Sequence, residues 1–248
     1  MPPRRKHTKM VNISGQWRQN HIQSDFSTCE LSDALLKLSV PQGGHIPDIY
    51  RISPRSHSEE DGTGFRLCGP AYTVRLVLAS ESDAPKLQGH YVDLAPEGSV
   101  AFVSAPPGAQ NAVWGGLMTA GAQARGVLGA IVSGRVRDTA EHRAAGFPVF
   151  ARGTSTVGQA PFTRAAEVQV PITVNVDAQQ YGGLPVVTVN PGDLLVADVD
   201  GVVCVPKVLE QDVLRIAAQG RKVDARCLKD IRSGVGVAES FRRHRGKS

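Results

Sequence analysis

Long apolar runs are missing from this chain. No stretch approaches the ~20 apolar residues that a membrane-spanning helix needs, so the sequence gives no membrane partner. Aromatic residues are scarce, at 5% of 248 positions. A nucleic-acid platform interleaves aromatics with a basic face, and that pattern is absent. Cysteine is sparse too: Cys29, Cys68, Cys204 and Cys227, none in a Cys-x-x-Cys pair. Neither a disulfide scaffold nor a zinc site is indicated, and the usage fits a reducing compartment, the cytoplasm. The seven histidines lack metal-ligand spacing. There is no Gly-x-x-x-x-Gly-Lys phosphate loop and no Gly-x-Ser-x-Gly elbow.

The formal charge of +5 is a property of the ends. Arg4, Arg5, Lys6 and Lys9 stand at one terminus, and Arg242, Arg243, Arg245 and Lys247 at the other, with no acid among either group. Taking those eight charges from +5 leaves the body at −3. Solvated basic tails are the simpler reading, and no nucleic-acid partner is expected. Residues 1–9 have no apolar segment behind them and do not read as a secretory signal. We expect a mobile basic tail over residues 1–12, one α/β catalytic domain over 13–220, and a helical arm with a basic tail over 221–248.

The pattern is clearest in the centre. Leu31, Ala34, Leu35 and Leu38 predict a helix over 28–38, and residues 69–78 read as a strand. Residues 52–64 are rich in Ser, Glu, Asp and Gly and predict an exposed loop. Residues 99–104 form a short apolar run, hence a buried strand, and residues 105–114 predict a loop. A helix of small residues over 115–125 is ended by Gly126. Residues 127–133 predict a second strand, 134–138 its exit loop, 139–145 a short helix and 147–151 a third strand. This strand–helix–strand–helix–strand unit predicts parallel strands, with both strand-to-helix loops on one sheet edge. Strands follow over 166–176, 186–189 and 194–206, with turns at Tyr181-Gly-Gly and Asn190-Pro-Gly-Asp193, then a helix from 209 to about 218.

Two places carry candidate chemistry. Gly115-Gly116 opens a helix, and free backbone N–H groups there suit a carboxylate or phosphate; close packing under Trp114 is the alternative. Arg137 can grip a carboxylate and polarise a carbonyl. Asp138 can hold Mg²⁺, which keeps most of its waters. On local sequence alone, Asp138-x-x-Glu141 reads more simply as a capping box. The expected position on the Gly115-Gly116 edge favours the ligand role. His142, on a short helix, reads as a surface residue. Asp200-Gly201 reads as a hairpin turn.

Four motifs in order then resemble a known family: Trp114-Gly-Gly-Leu-Met-Thr-Ala-Gly-Ala-Gln-Ala-Arg-Gly126, Gly134-Arg-Val-Arg-Asp138, Gly146-Phe-Pro-Val-Phe-Ala-Arg-Gly153, and Pro191-Gly-Asp-Leu-Leu-Val-Ala-Asp-Val-Asp-Gly-Val-Val-Cys-Val-Pro206. They resemble the regulator-of-ribonuclease-activity-A-like (RraA-like) family, which includes 4-hydroxy-4-methyl-2-oxoglutarate aldolases and oxaloacetate decarboxylases. The resemblance implies a β/β/α swivelling-domain fold, assembled as a homotrimer or hexamer with sites between subunits. It implies that backbone N–H groups of Gly115, Gly116, Leu117 and Met118 hold the carboxylate of a 2-oxo acid, that Arg137 contacts the substrate, and that Asp138 binds Mg²⁺ or Mn²⁺. The implied activity is Lewis-acid C–C cleavage giving pyruvate, with no Schiff base and so no lysine. A non-catalytic protein-binding regulator is the alternative within the same family. One departure stands out. Aldolase members often carry a carboxylate directly after the first glycine of the loop, where this chain has Gly116, so decarboxylation is expected to survive better than retro-aldol cleavage. Glu210 is a weak candidate for an acid supplied by a second subunit.

Overall fold

A computed structural model describes residues 26–54, 65–174 and 187–246. The expected 1–12 tail and the Tyr181-Gly-Gly turn lie outside the described residues, as do 55–64 of the expected loop, 175–176 of the expected strand, residue 186 and residues 247–248.

Helix α1 (Thr28–Lys37) starts where Ser27 accepts from Glu30 N and Glu30 answers on Ser27 N, a reciprocal cap. Short strands β1 (His45–Ile46) and β2 (Tyr50–Ser53) lead to the long β3 (Leu67–Leu78). The central unit follows as β4 (Val100–Ser104), β5 (Ala112–Trp114), α2 (Gly116–Ala124), β6 (Gly129–Val136), α3 (Thr139–Ala144) and β7 (Val149–Thr154). Strands β8 (Thr163–Val168), β9 (Ile172–Val174), β10 (Val187–Val189), β11 (Leu194–Ala197) and β12 (Val202–Val205) come next, then helices α4 (Glu210–Arg232) and α5 (Val237–His244).

The main sheet runs β1-β12-β11-β3-β4-β6-β7-β2, with β5 added to β6 and β8 to β3. The β3–β4, β4–β6 and β6–β7 pairs are parallel, as the alternating pattern predicts. Left-handed backbone at Gly126 and Gly146 ends the two crossover helices. Tyr91, Trp114, Val132, Val136 and Phe147 form the core on the face shared with α2, which adds Ala122. Phe102, Ile131 and Phe150 form the core on the other face, covered by Ile172, Val174 and Val189 of the β9–β10 ladder. The layering is therefore helix, sheet and small sheet, the β/β/α arrangement expected.

Four expectations change. The strand expected over 166–176 breaks at Gln169, in left-handed backbone, into β8 on β3 and β9 on β10. Residues 105–114 are not all loop, because Ala112–Trp114 pairs with β6. Strand β6 runs through Val136, beyond the expected Ser133, since Arg135 and Val136 also bond β7. The helix expected to end near 218 continues to Arg232, so residues 220 and 221 share one element. Gly220 costs such a helix only about 1 kcal/mol, which surrounding Glu, Lys and Arg helix formers and a face buried at Val213, Ala217 and Cys227 offset. Among the described residues, no helix is long and apolar enough to cross a membrane.

The fourth motif is structural. Buried Asp193 accepts from Asn190 N at 2.8 Å and Lys207 N at 3.1 Å. Buried Asp198 accepts from Thr28 N at 2.9 Å and Thr28 Oγ1 at 2.7 Å. The two carboxylates thus bind the β11–β12 hairpin to its entry turn and to the first turn of α1.

Candidate active site

Strand β5 positions the site. It lies parallel to the end of β6, with Trp114 opposite Val136. Arg137 N donates to Trp114 O at 3.0 Å. The two strand-to-helix turns, 114–116 and 137–138, are thereby held side by side.

Asp138 takes left-handed backbone (φ 58°, ψ 40°), which aspartate tolerates better than most residues. That conformation turns its carboxylate away from its own helix. The capping-box expectation is therefore corrected: Asp138 makes no side-chain cap on α3. Instead Oδ2 accepts from Gly116 N at 2.9 Å. Gly115, the residue before α2, has no side chain to cap that helix, and the neighbouring turn supplies the oxygen. Arg137 Nε lies 3.4 Å from the same Oδ2, and the Arg137 and Asp138 side chains are 47% and 34% exposed.

The glycines are there for close approach. A Cβ on Gly115 would stand 2.7 Å from Asp138 Oδ2 and 3.3 Å from Arg137 Nε. A Cβ on Gly158 would stand 2.7 Å from Arg137 Nη1, so the guanidinium lies between two bare backbone segments.

Helix geometry leaves the first N–H groups of α2 without intrahelical acceptors. Gly116 N–H is taken by Asp138. The N–H groups of Leu117 and Met118 belong to the same turn, and the Leu117 side chain beside them is 80% exposed. The structure thus brings Gly115, Gly116, Leu117, Met118, Arg137 and Asp138 to one sheet edge. Glu210 is elsewhere: it opens α4, and its charge acts on Cys68, near the start of β3.

The expectation that His142 is a surface residue is corrected. It is fully buried beneath the site. Its Nδ1 is 2.9 Å from Thr119 Oγ1, and Trp114 Nε1 donates to that hydroxyl at 3.0 Å. Nε2 is buried as well. This Trp114–Thr119–His142 chain ties β5, α2 and α3 together. A helix of only six residues gives too little apolar periodicity to reveal its buried face, so the sequence carried no signal for His142.

Burial pushes the His142 imidazole below its ordinary value of 6.5, against an opposing pull from the Arg137 backbone and the Asp138 and Glu141 carboxylates. In the window below 6.5 the unfolded chain binds a proton that the folded one refuses, so stability falls with acidification there. The urea midpoint should drop more between pH 7.5 and 5.5 for the native chain than for His142→Gln. Equal drops would contradict this assignment.

Asp138 and Glu141 are the carboxylates nearest the 115–116 turn, and Gly115 and Gly116 leave room for both. Among the described residues no group of three His, Cys, Asp or Glu side chains is arranged to hold a metal. One or two carboxylates completed by water is a donor set that suits Mg²⁺ or Mn²⁺ and does not suit zinc.

A family model described as RraA-like, Aldolase/RraA, matches residues 28–204. The chain is 33% identical over 176 residues to a Halalkalibacterium halodurans protein named "Putative 4-hydroxy-4-methyl-2-oxoglutarate aldolase", covering 71% of this chain and 77% of that one. It is 30% identical over 215 residues to Protein DlpA of Legionella pneumophila, covering 86% of this chain but only 32% of that much longer protein. The crystal structure of Streptomyces coelicolor RraAS2, described as an unusual member of the RNase ES inhibitor RraA protein family, matches with a TM-score of 0.64 at 23% identity. The match covers 81% of this chain and 90% of that one, and at that identity it bears on the fold alone.

Proposed function

Because the chain belongs to the RraA-like (Aldolase/RraA) family, we propose that it is a divalent-metal-dependent lyase that cleaves a C–C bond of a 2-oxo acid to give pyruvate. The observation that carries this reading is the placement of Asp138: a part-exposed carboxylate 2.9 Å from Gly116 N, with Arg137 beside it at 3.4 Å.

Each residue has a physical task in this reading. The N–H groups of Leu117 and Met118, at the positive end of α2, bind the substrate carboxylate. The Arg137 guanidinium orients the 2-oxo group and balances charge on the substrate. Asp138, with Mg²⁺ or Mn²⁺ as the cation, anchors that cation while Trp114 O fixes the Arg137–Asp138 backbone. The bound cation supplies a Lewis acid that draws electron density from the reacting carbonyl. Gly116 brings no carboxylate of its own to the turn, which favours oxaloacetate decarboxylation over retro-aldol cleavage, since loss of CO₂ requires no base to remove a hydroxyl proton. The outward Leu117 side chain supports a site completed by a neighbouring subunit, in a trimer or hexamer.

The test is pyruvate release with Mg²⁺ from oxaloacetate and from 4-hydroxy-4-methyl-2-oxoglutarate, each corrected for the rate without protein. The expected result is release from both, faster from oxaloacetate. No release from either would favour the binding-only regulator instead.

A further inference from the structure

Gly116 is held between two carboxylates. On one side Asp138 Oδ2 accepts its N–H at 2.9 Å. On the other, a Cβ built on Gly116 would fall on Oε2 of Glu141, with Glu141 Cδ only 2.6 Å away. Glu141 therefore occupies the volume that a side chain at position 116 would take. It belongs to the first turn of α3 and is solvent-exposed. Its backbone N–H donates to Asp138 O at 3.0 Å, which ties the two residues' backbones together at the start of α3. The sequence assigned Glu141 to a capping box, yet Asp138 makes no side-chain cap on this helix, so that box is not formed. Both carboxylates border the 115–116 turn, where a cation between them would offset their like charge; Arg137 Nε is 3.4 Å from Asp138 Oδ2.

We propose that Glu141 is the second carboxylate of the cation site, reaching it through the space left by Gly116, so that Gly116 and Glu141 form an interdependent pair. The inference rests on the reading of Asp138 as the cation anchor. Both acids then serve as cation ligands, and neither stands free as the proton-handling carboxylate that Gly116 lacks.

The test measures Mn²⁺ affinity of metal-stripped protein from the electron paramagnetic resonance signal of free Mn²⁺, alongside circular dichroism for folding. Glu141→Ala and Glu141→Gln should each weaken binding about tenfold, the scale seen when a metal site loses a supporting group. Gly116→Asp alone should lower the melting temperature, because its side chain meets Glu141. The double variant Gly116→Asp/Glu141→Ala returns a carboxylate to the same volume and should recover most of the lost affinity. Native-like binding by folded Glu141→Gln, or no recovery in a folded double variant, overturns the pairing. If Asp138→Asn loses Mn²⁺ while both Glu141 variants keep it, only this inference fails. If the native chain binds no Mn²⁺, the reading of Asp138 fails as well.

Discussion

Asp138→Asn should reduce 2-oxo acid cleavage at saturating Mg²⁺ by a factor of about a hundred or more while leaving the melting temperature within about 2 °C of the native chain, because loss of one well-placed electrostatic group costs about 3 kcal/mol of transition-state stabilisation. The two readouts separate because of the local geometry. Asparagine keeps the shape of the side chain, tolerates the left-handed backbone at φ 58° at least as well as aspartate, and still presents an oxygen to Gly116 N. What it removes is the negative charge. A helix-capping residue would lose little from this change in either readout, and a cation anchor loses activity alone. Activity at the native level would remove Asp138 from the chemistry. A large fall in melting temperature with activity in the surviving folded fraction would make its tie to α2 structural only.

Trp114→Ala should lower stability by about 3–5 kcal/mol, the range for emptying a buried aromatic site. For a domain of this size that is a fall of about 6–20 °C in melting temperature. The indole is buried, lies nearly parallel to Phe147 with centroids 6.4 Å apart, and tilts against Tyr91 at 6.3 Å. Its Nε1 donates to Thr119 Oγ1 and its carbonyl accepts from Arg137 N. Truncation therefore leaves a cavity and loosens the Thr119–His142 pair at the same time. Trp114→Phe retains most of the ring area but not the N–H, and should fall between the two. A melting temperature for Trp114→Ala within 2 °C of the native value would contradict this account of how β5 is held.

The difference between what could be read from the sequence and what could not follows the length of the signals. The crossover helices and the strands at β4, β6 and β7 were legible because apolar runs alternate with small-residue helices closed by Gly126 and Gly146. The β11–β12 hairpin was legible from Asp200-Gly201. Strand β5 was not, because three residues between a Pro-Pro-Gly loop and Gly-Gly show no periodicity. The approach of Glu141 to Gly116 was hidden by a capping pattern whose outcome depends on the backbone of Asp138, and φ at a non-glycine residue is not written in local sequence. Buried Asp193 and Asp198 were legible only as parts of a motif, since their partners at Thr28 and Lys207 are distant in the chain or across the hairpin. In each of these cases a pairing between segments decides the outcome, and a single stretch of sequence does not contain it.

The central claim is that a cation held at Asp138 supports cleavage of a 2-oxo acid. The most direct measurement is pyruvate release from oxaloacetate by the metal-stripped native chain, titrated with Mg²⁺, with the metal-only rate subtracted at each point. The expected release is negligible in chelator, rises with Mg²⁺ to saturation, and returns to baseline with excess chelator. Release at the same rate in chelator, or none above the metal-only rate at any Mg²⁺ concentration, would contradict it.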